Sequence, residues 1–189
     1  MSMTKALSNH TPIYHISFYV PDVEEASLKH HKMFGSGPFM IMKDFHNENQ
    51  IYKGQPFVID ISMSTGWWGD VAVEFVQQNN DGPSYFKDNG RYGFHHVCMG
   101  APDTKQSVLD FNENGCETVM YDYTREDFPY AYIDARELLG MYIEINPGPD
   151  PVYKAVKEWA QDWDKETKVL RYMDDLKEFF AKKAEESTK

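Results

Sequence analysis

Two stretches of the chain repeat one order of apolar and polar positions. Residues 15–22 read HISFYVPD and residues 96–103 read HVCMGAPD, in each case a histidine, five residues and Pro-Asp. Alternation in the first stretch puts His15, Ser17 and Tyr19 on one face and Ile16, Phe18 and Val20 on the other, the period of a half-buried strand. Pro-Asp then supplies a turn and a helix start, because an aspartate side chain accepts orphan N–H groups of a first helical turn. A helical stretch follows each, closed by Gly35 and Gly115, which suit a left-handed C-terminal cap; the Asp-to-Gly distances are 13 and 12 residues. Later in each half comes an apolar-Glu-apolar strand, VAVEFV at 71–76 and MYIEIN at 141–146.

The pattern predicts an α+β fold of two paired βαβββ modules, their sheets curving around one cavity. The first module spans 13–78, with strands at 13–20, 38–43, 56–63 and 70–77 and a helix near 22–33. The second spans 94–148, with strands at 94–100, 117–122, 129–135 and 140–145 and a helix near 103–113. Residues 1–12 read as an N-terminal arm, and 79–93, rich in Asn, Gly and Asp, as a linker. In 149–189 apolar residues fall at helical spacing, Val152, Val156, Trp159 and Trp163, then Val169, Tyr172, Met173, Leu176, Phe179 and Phe180. They predict two C-terminal amphipathic helices, frayed after about 183, whose apolar faces pack on the body or on another chain.

Composition narrows the function. With 189 residues, 41% hydrophobic, 26% charged and 15% aromatic, the chain suits one folded unit. Its net charge of -11 repels phosphate backbones and anionic bilayers, so neither nucleic acid nor membrane is an expected partner. The acidity belongs to residues 1–150, which hold 10 basic and 21 acidic residues against 9 of each in 151–189. No apolar run has the length of a membrane span or the form of a signal sequence, and a cytoplasmic location is expected. Cys98 and Cys116 form no CxxC pair and read as buried or partly buried thiols.

Strand parity carries the candidate chemistry. Val97, Met99 and Ala101, then Val71, Val73 and Phe75, then Met141, Ile143 and Ile145 take the helix-packing faces, which leaves His96, Glu74 and Glu144 on the faces equivalent to that of His15. Two histidines and two glutamates, one of each per half, would converge in a shared cavity. They are ligand types for one divalent ion per chain, Zn, Mn, Fe, Co or Ni, and leave one or two positions for water or substrate. The same parity makes Asp60 and Asp134 candidate bases, sends His95 to the opposite face, and gives His30, His31 and His46 no repeat partner.

HISFYVPD, GSGPF at 35–39, VAVEFV, GFHHVCMGAPD at 93–103 and MYIEINPG resemble the vicinal oxygen chelate superfamily, the glyoxalase and bleomycin-resistance fold, over about residues 12–148. Within it the chain is most similar to the glyoxalase-like branch that includes methylmalonyl-CoA epimerase. The resemblance implies a divalent metal held by His15, Glu74, His96 and Glu144. It also implies isomerase, epimerase or lyase chemistry through an enolate or ene-diolate, with Glu144 or Glu74 able to act as the base; Asp60 and Asp134, placed by strand parity, are the first non-ligand choices. Extradiol-type dioxygenase chemistry is the alternative on the same fold, against which the fourth ligand Glu74 argues; a small-molecule binding or resistance module without catalysis is the other. The expected partners are a small-molecule substrate and a second copy in a homodimer, the latter from the amphipathic tail and the family habit. Trp67, Trp68, Phe94, Tyr130, Tyr132 and Tyr142 offer aromatic walls, and Lys87, Arg91, Arg125 and Arg136 possible anion contacts.

Overall fold

A computed structural model describes residues 13–149 and 151–187; the arm expected at 1–12 lies outside the described residues. The first half runs β1 (Ile13–Tyr19), α1 (Val23–Phe34), β2 (Phe39–Tyr52), β3 (Gln55–Trp68) and β4 (Val71–Gln78). The second runs β5 (Gly93–Gly100), α2 (Thr104–Glu113), β6 (Thr118–Asp122), β7 (Tyr130–Ala135), the single turn α3 (Arg136–Leu139) and β8 (Met141–Asn146). After it come α4 (Pro151–Gln161), β9 (Leu170–Arg171) and α5 (Met173–Ser187). The duplicated Pro-Asp acts as its chemistry requires: Asp22 accepts from the Glu25 N–H at 2.8 Å and Asp103 from the Gln106 N–H at 2.9 Å, so each caps its helix.

In each module the first strand pairs parallel with the fourth, and the second, third and fourth pair antiparallel. The modules join where β1 lies antiparallel to β5, and again where Ile51 and Tyr52 of β2 meet Tyr121 and Met120 of β6. Eight strands thereby close into a mixed barrel, with β9 added beside the start of β2. Helix α1 covers the outside of the first module over Val73 and Phe75, and Val108 and Phe111 of α2 cover Ile133 and Ile143 of the second.

β2 and β3 reach 14 residues each, well beyond the expected 38–43 and 56–63. They form one hairpin through Lys53 and Gly54, whose φ angles of 49° and 76° are those of a two-residue turn matched to strand twist. Bulges between Met42 and Phe45 and between Asn47 and Gln50 break the two-residue alternation there, which is why the polar run 44–50 gives no strand pattern.

The barrel interior is filled at one end by a cluster that includes Tyr19, Tyr52, Ile59, Val76, Met120 and Tyr142. Tyr85 and Phe86 complete that cluster from the segment between the modules, so the stretch expected to be a linker plugs the barrel. A polar clamp holds it: the Tyr52 hydroxyl donates to Asp88 at 2.5 Å, and the Arg136 guanidinium donates to the Asp88 carbonyl at 2.8 Å while pairing with Asp134.

The C-terminal segment lies on the body. Ala155, Val156 and Trp159 of α4 and Leu176 of α5 pack with Met40 and Trp67, and the Phe39 N–H donates to the Val169 carbonyl at 2.7 Å. Where a helix was expected from about 169, the chain first adds β9 to the sheet and starts α5 at Met173. Much of the apolar face of the tail is thus covered by its own chain, while Tyr172, Met173 and Phe180 remain exposed. No helix among the described residues is long and apolar enough to cross a membrane.

Candidate metal centre

The four strands at the seam between modules lie side by side as β4, β1, β5 and β8. Glu74 sits across from Ser17, Ser17 across from His96, and Cys98 across from Glu144, so the register brings inward side chains of all four strands to one level. His15, Glu74, His96 and Glu144 converge there, each no more than 8% exposed. The two Nε2 atoms lie 3.2 Å apart. Glu144 Oε2 is 3.5 Å from His15 Nε2 and 3.1 Å from His96 Nε2; for Glu74 Oε2 the distances are 4.0 and 3.6 Å. Four donors at about 2.1 Å from one tetrahedral ion would lie roughly 3.4 Å from each other, so these spacings fit a single divalent ion. Two imidazoles and two carboxylates also match the donor preference of a borderline or first-row metal.

Each carboxylate is gripped from behind. Glu144 accepts from Asn146 Nδ2 at 2.9 Å and from the Tyr132 hydroxyl at 3.0 Å. Glu74 accepts from Ser17 Oγ at 2.8 Å and from the Tyr153 hydroxyl at 3.1 Å. Burial alone would raise the Glu144 carboxyl, but hydrogen bonds from His15 and His96 outweigh it and hold the group well below the usual carboxylate range. The centre therefore carries anionic oxygen beside two imidazoles. Cys98, two residues beyond His96, lies near His15 and Glu144 as well, but burial pushes its thiol well above the usual range, and it donates to the Tyr14 hydroxyl at 3.2 Å.

His95 is not on the outer face. A bulge in β5 opposite Ser17 and Phe18 turns its ring inward, where it is fully buried and stacks on Tyr142 at 4.9 Å and against Phe86 at 4.7 Å. Its Nε2 lies 3.1 Å from the Tyr85 carbonyl and its Nδ1 2.9 Å from His96 Nδ1. Burial lowers its pKa to about 3, so the ring is neutral. A carbonyl only accepts, so His95 carries its proton on Nε2 and accepts at Nδ1. His96 then donates from Nδ1, which makes Nε2 the ring nitrogen turned to Glu144 and His15 and the one that would bind a metal. His95→Phe keeps the stack and removes the acceptor; metal affinity measured by chelator competition is expected to fall about tenfold. Unchanged affinity would show that His96 needs no such orientation.

Asp60 and Asp134 do not reach the centre. Thr65 pairs with Glu74, so Ile61, Met63 and Thr65 face inward and Asp60 faces out, 3.4 Å from His46 Nε2 and accepting from Asn79 at 2.9 Å. Asp134 has inward parity, opposite Tyr142, but lies at the plugged end, held by Arg136 at 2.6 Å. Of the expected aromatic walls Tyr130 and Tyr132 line the cavity, and of the expected cations Arg125 does. The cavity encloses about 390 Å³, with Met40, Met42, Met63, Phe45 and Phe128 as apolar wall. Polar side chains line it too: Gln50 and Asn47 donate to the Tyr130 hydroxyl at 2.7 and 3.0 Å, and Asn47 donates to Asp122 at 2.7 Å. Gln50 is 2% exposed and its Oε1 makes no hydrogen bond.

Residues 14–132 match the family model of the Glyoxalase/Bleomycin resistance protein/Dioxygenase superfamily. The chain belongs to this superfamily. Among solved structures, the methylmalonyl-CoA epimerase of Mycobacterium tuberculosis is 16% identical, with 78% of this chain and 95% of that one covered at a TM-score of 0.54. A hypothetical protein of Bacillus halodurans is 12% identical over 73% and 94%, with a TM-score of 0.52. A variant methylmalonyl-CoA epimerase of Streptomyces coelicolor in complex with 2-nitronate-propionyl-CoA is 14% identical over 72% and 96%, with a TM-score of 0.51. At these identities the likeness is one of fold. No curated protein sequence matches the chain. The superfamily match ends at residue 132, before β8 with Glu144 and before α4 with Tyr153.

Proposed function

We propose that the chain is a divalent-metal-dependent isomerase or epimerase of the glyoxalase type, moving a proton at a carbon beside a carbonyl. The observation that carries this reading is the convergence of His15, Glu74, His96 and Glu144 at the wall of a mostly apolar cavity. These four side chains would hold the ion. When bound, it supplies Lewis-acid stabilisation of an enolate or ene-diolate.

The protein's own groups supply the rest. Glu144 is the closer to both imidazoles and is held anionic, which suits a fixed ligand. Glu74 is the farther, at 3.6 and 4.0 Å, and is the carboxylate assigned to take and return the proton. The methionine and phenylalanine wall excludes water from the reacting carbon, which supports a compact and largely apolar substrate. Gln50 and Tyr130 would receive a polar group of that substrate. Arg125 is the one Lys or Arg among the described residues lining the cavity, which argues against burying a highly charged substrate there.

Elemental analysis of untagged protein produced with mixed metals is expected to give about one divalent ion per chain. The protein is then expected to catalyse metal-dependent deuterium uptake by members of a panel of α-hydroxy ketones, α-keto acids and acyl thioesters, followed by NMR. Protein that neither contains nor takes up Zn, Mn, Co, Ni or Fe defeats the proposal.

A further inference from the structure

The C-terminal helix α4 reaches the centre through one residue. Tyr153 is 9% exposed. Its ring stacks on that of His15 at 5.3 Å with 9° between planes and meets Tyr14 edge-on at 5.6 Å. Its hydroxyl donates to Glu74 Oε1 at 3.1 Å, while Glu74 Oε2 takes the Ser17 hydroxyl and faces the two imidazoles. One aromatic side chain therefore touches two of the four converging groups, His15 through its ring and Glu74 through its hydroxyl.

We infer that Tyr153 is a positioning residue of the metal centre, and that α4 is a wall of the site as well as a cover for the sheet. A carboxylate side chain has three rotatable bonds and no preference between its oxygens; two donors on opposite oxygens leave Glu74 one orientation. Ser17 provides the first donor from inside the barrel. Tyr153 provides the second, and stacking keeps the His15 ring from turning about its own bond. The helix can do this because it is fixed independently of the site. Val156 is fully buried, Trp159 packs with Phe179 of α5, and β9 extends the sheet beside β2. The donor thus sits on an element held by its own packing, outside the part of the chain that matches the superfamily model.

This inference rests on the proposed metal reading, and the experiment separates the two. Co(II) affinity is measured by chelator competition on full-length wild type, Tyr153→Phe, Glu74→Gln and the double variant, together with thermal unfolding of each apo protein. The Phe variant keeps the ring and the stack and removes only the donor. Its affinity is expected to fall 10- to 100-fold, the usual cost of losing an outer-shell partner. In the Glu74→Gln background the same change is expected to cost less than about twofold, because the hydroxyl acts through that carboxylate. Equal losses in both backgrounds, or a wild-type affinity in Tyr153→Phe, overturns the role of Tyr153 and leaves the metal reading standing. Wild type that binds no Co(II) overturns both. If Tyr153→Phe does not fold, 3-fluorotyrosine at position 153 replaces it: a stronger donor of nearly the same shape shifts the affinity only where the hydrogen bond matters.

Discussion

Glu144→Gln protein is expected to fold and to lose tight binding of any divalent ion, with affinity down by more than about 100-fold, since even an outer-shell partner costs 10- to 100-fold. The substitution is close to isosteric and keeps a side chain able to meet Asn146 and Tyr132, so packing changes little. What it removes is the anion. Glu144 Oε2 lies within 3.5 Å of both imidazoles, and its carboxyl is held charged by them against burial. A neutral amide leaves His15 Nε2 and His96 Nε2 facing each other at 3.2 Å with only Glu74 as a negative partner. Activity on any substrate found by the deuterium assay is expected to fall with the metal, and excess Co(II) is expected to restore part of it. Circular dichroism checks the fold and elemental analysis the ion. Glu144→Gln with a full complement of metal would remove this residue from the ligand set and leave the histidines to find another partner, the Cys98 thiol being nearest in chemistry.

What the sequence makes legible follows the range of the interactions concerned. The helix starts at Asp22 and Asp103 are local chemistry, a side chain meeting an N–H three residues on, and the repeat exposes them directly. The four converging groups are legible because each sits in a regular stretch where alternate residues share a face, and the duplication says that the faces correspond. His95 and Gln50 are hidden by bulges, which shift parity by one residue and leave no mark in composition. Asp60 goes astray for a related reason: its face is set by Thr65 lying opposite Glu74, a register between strands and not a pattern along one. Tyr153 belongs to a helix whose apolar stripe is plain, yet which element the stripe covers is a tertiary matter. The same holds for Tyr85 and Phe86, two aromatics in a run of Asn, Asp and Gly.

Those two aromatics carry the other large expected effect. Phe86 is 1% exposed and meets Tyr85 at 4.5 Å, His95 at 4.7 Å and Tyr19 at 5.7 Å inside the barrel. Phe86→Ala leaves a cavity that eight hydrogen-bonded strands cannot readily collapse into, at a cost of about 3–5 kcal/mol. For a chain of this size that lowers the melting temperature by on the order of 10 °C. Phe111→Ala is the informative comparison, because Phe111 is similarly buried but lies outside the barrel between α2 and the second module, and its loss should cost about the same. The two differ in what stands next to them. Phe86 supports the His95 ring, which orients His96 through the paired Nδ1 atoms, whereas Phe111 packs in a cluster without the four converging groups. Phe86→Ala is therefore expected to weaken Co(II) binding several-fold at a temperature where both variants are folded, while Phe111→Ala leaves it within about twofold, as distant sites should. Equal weakening in both would mean that the metal centre reports only global stability. A difference in the stated direction would make the segment between the modules a part of the centre, joined to it through an aromatic contact and one imidazole pair.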